Sequence, residues 1–433
     1  MDGRAASQTI TDKIPHLLNR GIEPIIVSGM TGEKDNVIEH HQILPALPVA
    51  LRFDLRHYLK QRISNPIVYR LAMSLISTTL LPFYLIEKFV IPIETHWSWA
   101  ITAYFTSSRI IQKRKPTFIY STGGAYAAHL AAYWLAKRFN LPWIAEIHDP
   151  MIYPGLSSNN RRKFFAAWLE GIICKHADVA WWFTEKALMN ARTRHPVLGD
   201  RGHFVVPGAD KPEFFRKPYQ RNKQFIIGHF GTLDPTRNLE IFLLGLHLAL
   251  EKKHHWKDSI RIHLYGSRID SISARALKKF PYPSVIKQFG RLEFDPETNE
   301  SGREQVIKHM NAVDCLLLLH GNAPSCEEYI PSKVYEYLWT QRPILALIWH
   351  NTQMEKMLHE QGHWVVKSDD VVAIATTLET LHLHWTQDKL TDSEKNSPYT
   401  MEAATHQIIN MAQSSLRSNT SQIISKQVTL DLP

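Results

Sequence analysis

The feature that most restricts the fold is an alternation in the second half of the chain. Short apolar runs and amphipathic stretches succeed one another as Phe225–Phe230, Leu239–Leu250, Ile260–Tyr265, Val285–Phe289, Glu304–Met310, Asp314–Leu319, Val334–Trp339 and Pro343–Ile348. Read as strand, helix, strand and so on, this order predicts parallel pairing, because a helical crossover returns the chain to the same end of the sheet. A parallel sheet carries helices on both faces and binds ligands beyond the carboxyl ends of its strands. The first half repeats the pattern, with strands predicted at Pro24–Val27, Thr117–Tyr120, Trp143–Glu146 and Val179–Phe183.

The predicted fold class is therefore α/β, with two doubly wound parallel-sheet domains. The 433 residues suffice for two domains, each of about 200 residues. Their boundary is expected near Val205–Gly208, before the Pro-rich Lys211–Pro218. This divides the chain into residues 1–206, 207–390 and a Ser- and Thr-rich tail at 414–433. An amphipathic helix within 398–413 is expected to pack back on the first domain.

Composition narrows the class further. A hydrophobic share of 44% and a charged share of 21% imply a packed globular core, excluding a disordered chain or a membrane-spanning bundle. Cys174, Cys315 and Cys326 show no zinc spacing, and Met1–Thr11 lacks the apolar run of a signal peptide. A reducing, cytoplasmic setting is expected. The net charge of +9 favours an anionic partner. Its basic runs, at 113–115 and 161–163, are short and scattered, and no nucleic acid is expected.

One stretch is unusually apolar. Between Asn65 and Thr106, Pro66, Pro82 and Pro92 interrupt the pattern, and the uncharged core Leu71–Ile86 is shorter than the roughly 20 residues that span a bilayer. Two readings stay open: helices buried in the domain, or helices lying on the inner face of an anionic membrane as a peripheral contact. Trp97, Trp99, Trp181 and Trp182 read as core or interface residues.

The sharpest motif is Glu328-Tyr-Ile-Pro-Ser-Lys-Val-Tyr-Glu336. Pro331 ends a loop and Ser332 is in position to cap a helix, so Glu328 is expected in the loop and Glu336 one turn into the helix. A carboxylate there can accept two hydrogen bonds from a vicinal diol such as that of a ribose. The helix start attracts a diphosphate, contributing about 0.3–2 kcal/mol per charge, so a cation is needed too. Lys333 is poorly placed in a first turn unless an anion sits there. Ordinary surface charges on an amphipathic helix would give the same letters; the apolar strand following at Pro343–Leu347 puts the pair at a loop-to-helix transition in a parallel sheet.

Glu328–Ala346 resembles the E-x7-E segment of glycosyltransferase family 4, retaining enzymes that use nucleotide-sugar donors on the GT-B fold. The resemblance implies that Glu328 approaches the donor sugar and Glu336 holds the ribose. Gly228-His-Phe-Gly231-Thr232 followed by Arg237-Asn238 is similar to the family's strand, glycine turn and basic residue at the pyrophosphate. The family commonly has Arg after that glycine; Thr232 stands here, which puts more weight on Lys333. Leu264-Tyr-Gly266-Ser267 and Phe289-Gly290-Arg291 resemble its turns around the nucleotide.

In the first half, Tyr120-Ser-Thr-Gly123-Gly124 before the helix Ala125–Phe139 is a strand–turn–helix. Leu141–Pro150, ending in His148-Asp149-Pro150, resembles the family's acceptor-side segment. His148 and Asp149 are then expected at the reacting face. The chain departs from the family at its start, where Asp2–Ser7 already resembles the loop-to-helix part and the first central strand is missing. Its neighbours would lose ladder bonds worth several kcal/mol, unless another segment fills the gap.

The resemblance implies GT-B, with its two domains facing a cleft. It also implies metal-independent transfer of a hexose, with retention, from a UDP- or GDP-linked donor to a glycan or lipid-linked acceptor in polysaccharide biosynthesis. Neither metal nor cofactor is expected, and no Asp-x-Asp occurs. Predicted site residues are Glu328, His148 and Asp149 for catalysis, with Gly231, Thr232, Arg237, Gly266, Arg291, Ser332, Lys333, Glu336, Gly123 and Gly124 holding substrate. A catalytically degenerate GT-B protein that binds a nucleotide sugar or partner, and a nucleotide-sugar epimerase, are the alternatives.

Overall fold

The computed structural model describes residues 9–32, 34–91, 96–123, 126–153, 161–212, 218–266, 268–393 and 395–414. Gly124 and the tail beyond 414 lie outside them. The chain divides into two compact units, Met1–Gly208 with Met401–Pro433, and Ala209–Thr400.

In the first unit, β1 (Ile26–Ser28) pairs in parallel with β2 (His40–Gln42), while β3 (Ile119–Thr122), β4 (Trp143–Ile147), β5 (Val179–Trp182) and β6 (Gly202–Phe204) form a separate parallel sheet. The strand expected at Pro24–Val27 is observed as Ile26–Ser28, and its ladder partner is His40–Gln42, in a sheet apart from the other four strands. The two-residue period of a strand sorts β4 by face. Trp143, Ala145 and Ile147 pack with Leu130, Leu169 and Ile173 of the flanking helices. Ile144 joins Val179 and Trp181 on the opposite face, covered by Ala404, Ile408 and Ala412 from a helix over 401–414. Trp181 and Trp182 are fully buried.

The apolar stretch after Asn65 is less interrupted than its prolines suggested. It forms one 25-residue helix, Pro66–Val90, capped by Asn65 Oδ1 accepting from Ile67 N at 2.9 Å and continuing through Pro82. A proline removes one helical hydrogen bond, and here the turns on either side persist. The buried-core reading is overturned. Glu87 is the helix's buried residue, while Leu71, Leu75, Phe83 and Phe89 are exposed.

The second unit is one parallel sheet of β7 (Phe225–Phe230), β8 (Ile260–Tyr265), β9 (Ile286–Gly290), β10 (Cys315–Leu319), β11 (Ile344–Ile348) and β12 (Trp364–Lys367), in the order β12-β11-β10-β7-β8-β9. β10 and β11 are buried at every position, as continuous apolar runs in a sheet covered on both faces must be. After β7 the chain winds to one side through β8 and β9; from β10 it winds to the other. Loops leaving β7 and β10 therefore diverge, opening the crevice where such sheets bind ligands.

Candidate functional site

At the carboxyl ends of β7, β8 and β9 the chain makes three glycine turns that bond to one another. Gly231 N donates to Tyr265 O at 2.7 Å, and Gly266 N donates to Gly290 O at 2.8 Å. A Cβ on Gly266 would overlap the Gly231 carbonyl, so these turns approach as only glycine permits. They line a cavity of about 200 Å³ with His229, Leu233, Arg268 and Gln288. Its back is stiffened by aromatic stacking: Phe230 on Tyr265 at 4.6 Å and Tyr265 on Phe289 at 4.5 Å between centroids.

Lys333 reaches over the Gly231 turn. It sits in the first turn of the helix Lys333–Thr340, yet its Nζ donates to Phe230 O at 2.7 Å, and a Cβ on Gly231 would collide with that ammonium. Burial first, then the charge of Arg237, pulls the Lys333 ammonium down to about 7. Arg237 pairs with Asp234 at 3.0 Å. This strand-end therefore holds Lys333 and the Asp234-paired Arg237 against backbone, and an anion bound there would favour the charged lysine. Thr232 and Arg291 flank the turns and are exposed.

Glu328 closes a short 3₁₀ turn, Pro324–Glu328, and is buried. Its loop is fastened by groups distant in sequence: Tyr329 OH donates to His320 O at 2.7 Å, and Asn351 Nδ2 donates to Tyr329 O at 2.9 Å. Glu336 lies one turn into the helix, half-buried, with Arg303 at 3.0 Å. The cap expected of Ser332 is absent. Its backbone is already helical and its side chain makes no capping bond, the turn being closed by Val334 N on Pro331 O at 3.0 Å.

In the first unit, His148 is tied to a buried carboxylate that motif reading passed over. His148 Nε2 lies 2.6 Å from Glu146 Oε1, Thr122 Oγ1 donates to the same oxygen at 2.7 Å, and Lys13 and Tyr120 OH both bond Oε2. Burial alone would raise the Glu146 carboxyl. The Lys13 charge and the His148 bond outweigh it and hold the acid well below the usual carboxylate range. The imidazole stacks on Phe183 at 4.6 Å, which fixes one face of the ring. Asp149 is exposed.

Gly123 is set by a second, directed chain. Trp143 Nε1 donates to Ser121 Oγ at 2.8 Å, Ser121 Oγ meets His129 Nδ1 at 2.9 Å, and His129 Nε2 meets Gly123 O at 3.2 Å. Burial brings His129 down to about 4, so the neutral ring donates from Nε2 to the carbonyl and accepts at Nδ1.

Sequence reasoning missed Glu146, His229, Arg268, Arg303 and Lys13. A signal existed for Glu146, a lone carboxylate in an otherwise apolar strand. Lys13 offered none, since its partner is 133 positions away. Among the described residues, no group of three or more His, Cys, Asp or Glu is gathered to hold a metal ion.

Neither a protein-family model nor a curated protein matches this chain. Solved structures do. The trehalose 6-phosphate synthase of Burkholderia multivorans aligns over 76% of this chain and 78% of its own, at 10% identity and a TM-score of 0.50. The chain has a two-domain α/β GT-B fold. TarM of S. aureus aligns at 11% identity and a TM-score of 0.46, over 65% of this chain and 52% of TarM, so the chain spans about half of TarM's length. MnaA of S. aureus, solved with UDP, aligns at 11% identity and a TM-score of 0.46, over 91% and 97% of the two chains. Within this GT-B fold, the second unit carries the glycine-lined cavity and Lys333, and the first carries the Glu146–His148 cluster.

Proposed function

We propose that the chain is a retaining glycosyltransferase, moving a hexose from a nucleotide-diphosphate sugar to a glycan or lipid-linked acceptor in the cytoplasm. One observation carries the reading: Gly231, Gly266 and Gly290 line one cavity at the carboxyl ends of β7, β8 and β9, with Lys333 laid across the first turn. Glycine turns that let a ligand approach the backbone closely, beside a desolvated ammonium, suit a diphosphate. Lys333, Arg237, the Gly231 turn and the helix entering near Ser332 stabilise the leaving diphosphate without a metal, and leaving-group electrostatics supply most of the rate. Glu336 takes the ribose, with Arg303 orienting it. Glu328 takes the donor sugar, and Gly266 and Arg291 the nucleotide. His148, Asp149, Gly123 and Gly124 are assigned to the acceptor side on the family resemblance.

The test is donor hydrolysis and transfer across UDP- and GDP-sugars. Glu336→Ala is expected to raise the donor KM about 10- to 100-fold, the loss of hydrogen bonds to a charged group worth about 1.5–3 kcal/mol. Wild-type KM and turnover in that variant would remove the ribose assignment. The His148 imidazole, oriented by the buried Glu146 carboxylate, favours one second reading, a nucleotide-sugar epimerase. That activity would alter the donor sugar with no acceptor present, whereas a transferase would not.

A further inference from the structure

The helix Pro66–Val90 is amphipathic in the inverted sense. Its polar atoms turn toward the neighbouring protein: Glu87 Oε2 accepts from Val49 N at 2.8 Å, Glu87 Oε1 accepts from Trp97 Nε1 at 3.2 Å, and Ser77 Oγ lies 3.3 Å from Arg52 Nε. Its apolar side chains face outward, with Leu71 67%, Leu75 70% and Phe89 84% exposed. Over 25 residues the helix runs for about 37 Å, and apolar side chains dominate its exposed side before and after Thr78 and Thr79, more than a soluble monomer ordinarily shows water.

The charges beside it are of one sign. Between 48 and 90 the acidic residues are Asp54 and Glu87, both buried, while the basic ones are Arg52, Arg56, Lys60, Arg62, Arg70 and Lys88. All but Arg52 of these cations are exposed. Apolar side chains flanked by exposed cations, with no exposed anion between, complement a bilayer of anionic lipid.

We propose that this helix lies in the plane of an anionic membrane surface, its Leu71–Leu75–Phe89 face sunk to the boundary of headgroups and acyl chains. The helix is long and apolar enough to span. Spanning is disfavoured by its partner: Pro48–Lys60 packs along it and would carry Arg52, Arg56 and Lys60 into hydrocarbon. In the plane, the exposed Arg56 and Lys60 meet lipid phosphates instead. The proposal stands apart from the nucleotide-sugar reading and holds whatever the cavity binds.

The test is flotation of the full chain with vesicles of phosphatidylcholine alone and of phosphatidylcholine with phosphatidylglycerol, at low and high salt. The wild type is expected to float with the anionic vesicles, less so at high salt. Leu71→Ser, Leu75→Ser and Phe89→Ser together should lower partitioning about 100-fold, and Arg62→Gln with Arg70→Gln about 25-fold, at roughly 1 kcal/mol for each group withdrawn. Circular dichroism checks that the variants fold. Should the serine variant misfold, a fluorophore on Ile67→Cys or Phe89→Cys must shift to the blue on anionic vesicles and be quenched equally from the outside at both positions. No flotation, equal flotation with neutral vesicles, or probes at the two ends reporting opposite sides of the bilayer would each overturn the proposal. So would a dimer in solution that the serine variant dissolves, since the face would then belong to a second copy.

Discussion

If a diphosphate docks at the Gly231 turn, it must change the protonation of Lys333, and the size of that change follows from the site. With the ammonium drawn down to about 7, Lys333 is about 10% protonated at pH 8 in the free protein. A unit anionic charge about 4 Å away, at an effective dielectric of about 20, contributes about 4 kcal/mol and restores about three pKa units. The bound lysine is then almost fully charged. Binding should therefore take up about 0.9 proton at pH 8, about 0.5 at pH 7 and about 0.1 at pH 6, the sign being uptake because the bound pKa is the higher. A nucleotide sugar is the proper probe, as its diphosphate diester has no group titrating near neutrality. Calorimetry of UDP-glucose and GDP-mannose in buffers of different ionisation enthalpy reads the proton count directly. Lys333→Met should abolish the uptake and weaken binding about 10- to 100-fold, the range for a hydrogen bond to a charged group. Tight binding with no uptake at pH 8, or uptake that persists in Lys333→Met, would refute the placement of the diphosphate beside this lysine.

The glycine turns separate steric need from backbone need. Gly266→Ala must push against the Gly231 carbonyl and is expected to cost about 1–3 kcal/mol and nucleotide binding, whereas a Cβ at Gly290 meets open space and only its φ of +74° opposes it, so Gly290→Ala should cost about 1 kcal/mol with binding retained. Equal effects in thermal melts and titrations would contradict the packing described. In the first unit, Glu146→Gln leaves Lys13 buried without its counter-charge and should destabilise by about 3–5 kcal/mol, with part of the loss recovered in Lys13→Met/Glu146→Gln, as read by denaturant unfolding. Because the folded Glu146 carboxyl is depressed, its contribution is present above the ordinary carboxylate pKa and lost as pH falls through the lower folded value; acid titration of the double variant should lack that loss.

Several features were legible from residue order. Cys315–Leu319 and Ile344–Ile348 are unbroken apolar runs, and a strand buried on both faces has no other way to read. Gly231, Gly266 and Gly290 each end a strand, and parallel strands deliver such ends to one edge, so their meeting was implied by the alternation itself. Ser332 was misjudged because a residue type that can cap was taken for a cap, while the local 3₁₀ closure on Pro331 removed the geometry.

Period and composition, then, determined the layered α/β units and the edge on which the glycine turns lie, because these follow from bonds and side chains near one another in sequence. Tertiary structure alone decided that Lys13 neutralises Glu146, that His320 and Asn351 hold the Glu328 loop, and that Pro66–Val90 wears its apolar face outward. Hydropathy reports what a side chain would prefer as a neighbour. Which neighbour it receives depends on segments as far as 133 residues away, as Lys13 is from Glu146, and there the chain's own order is silent.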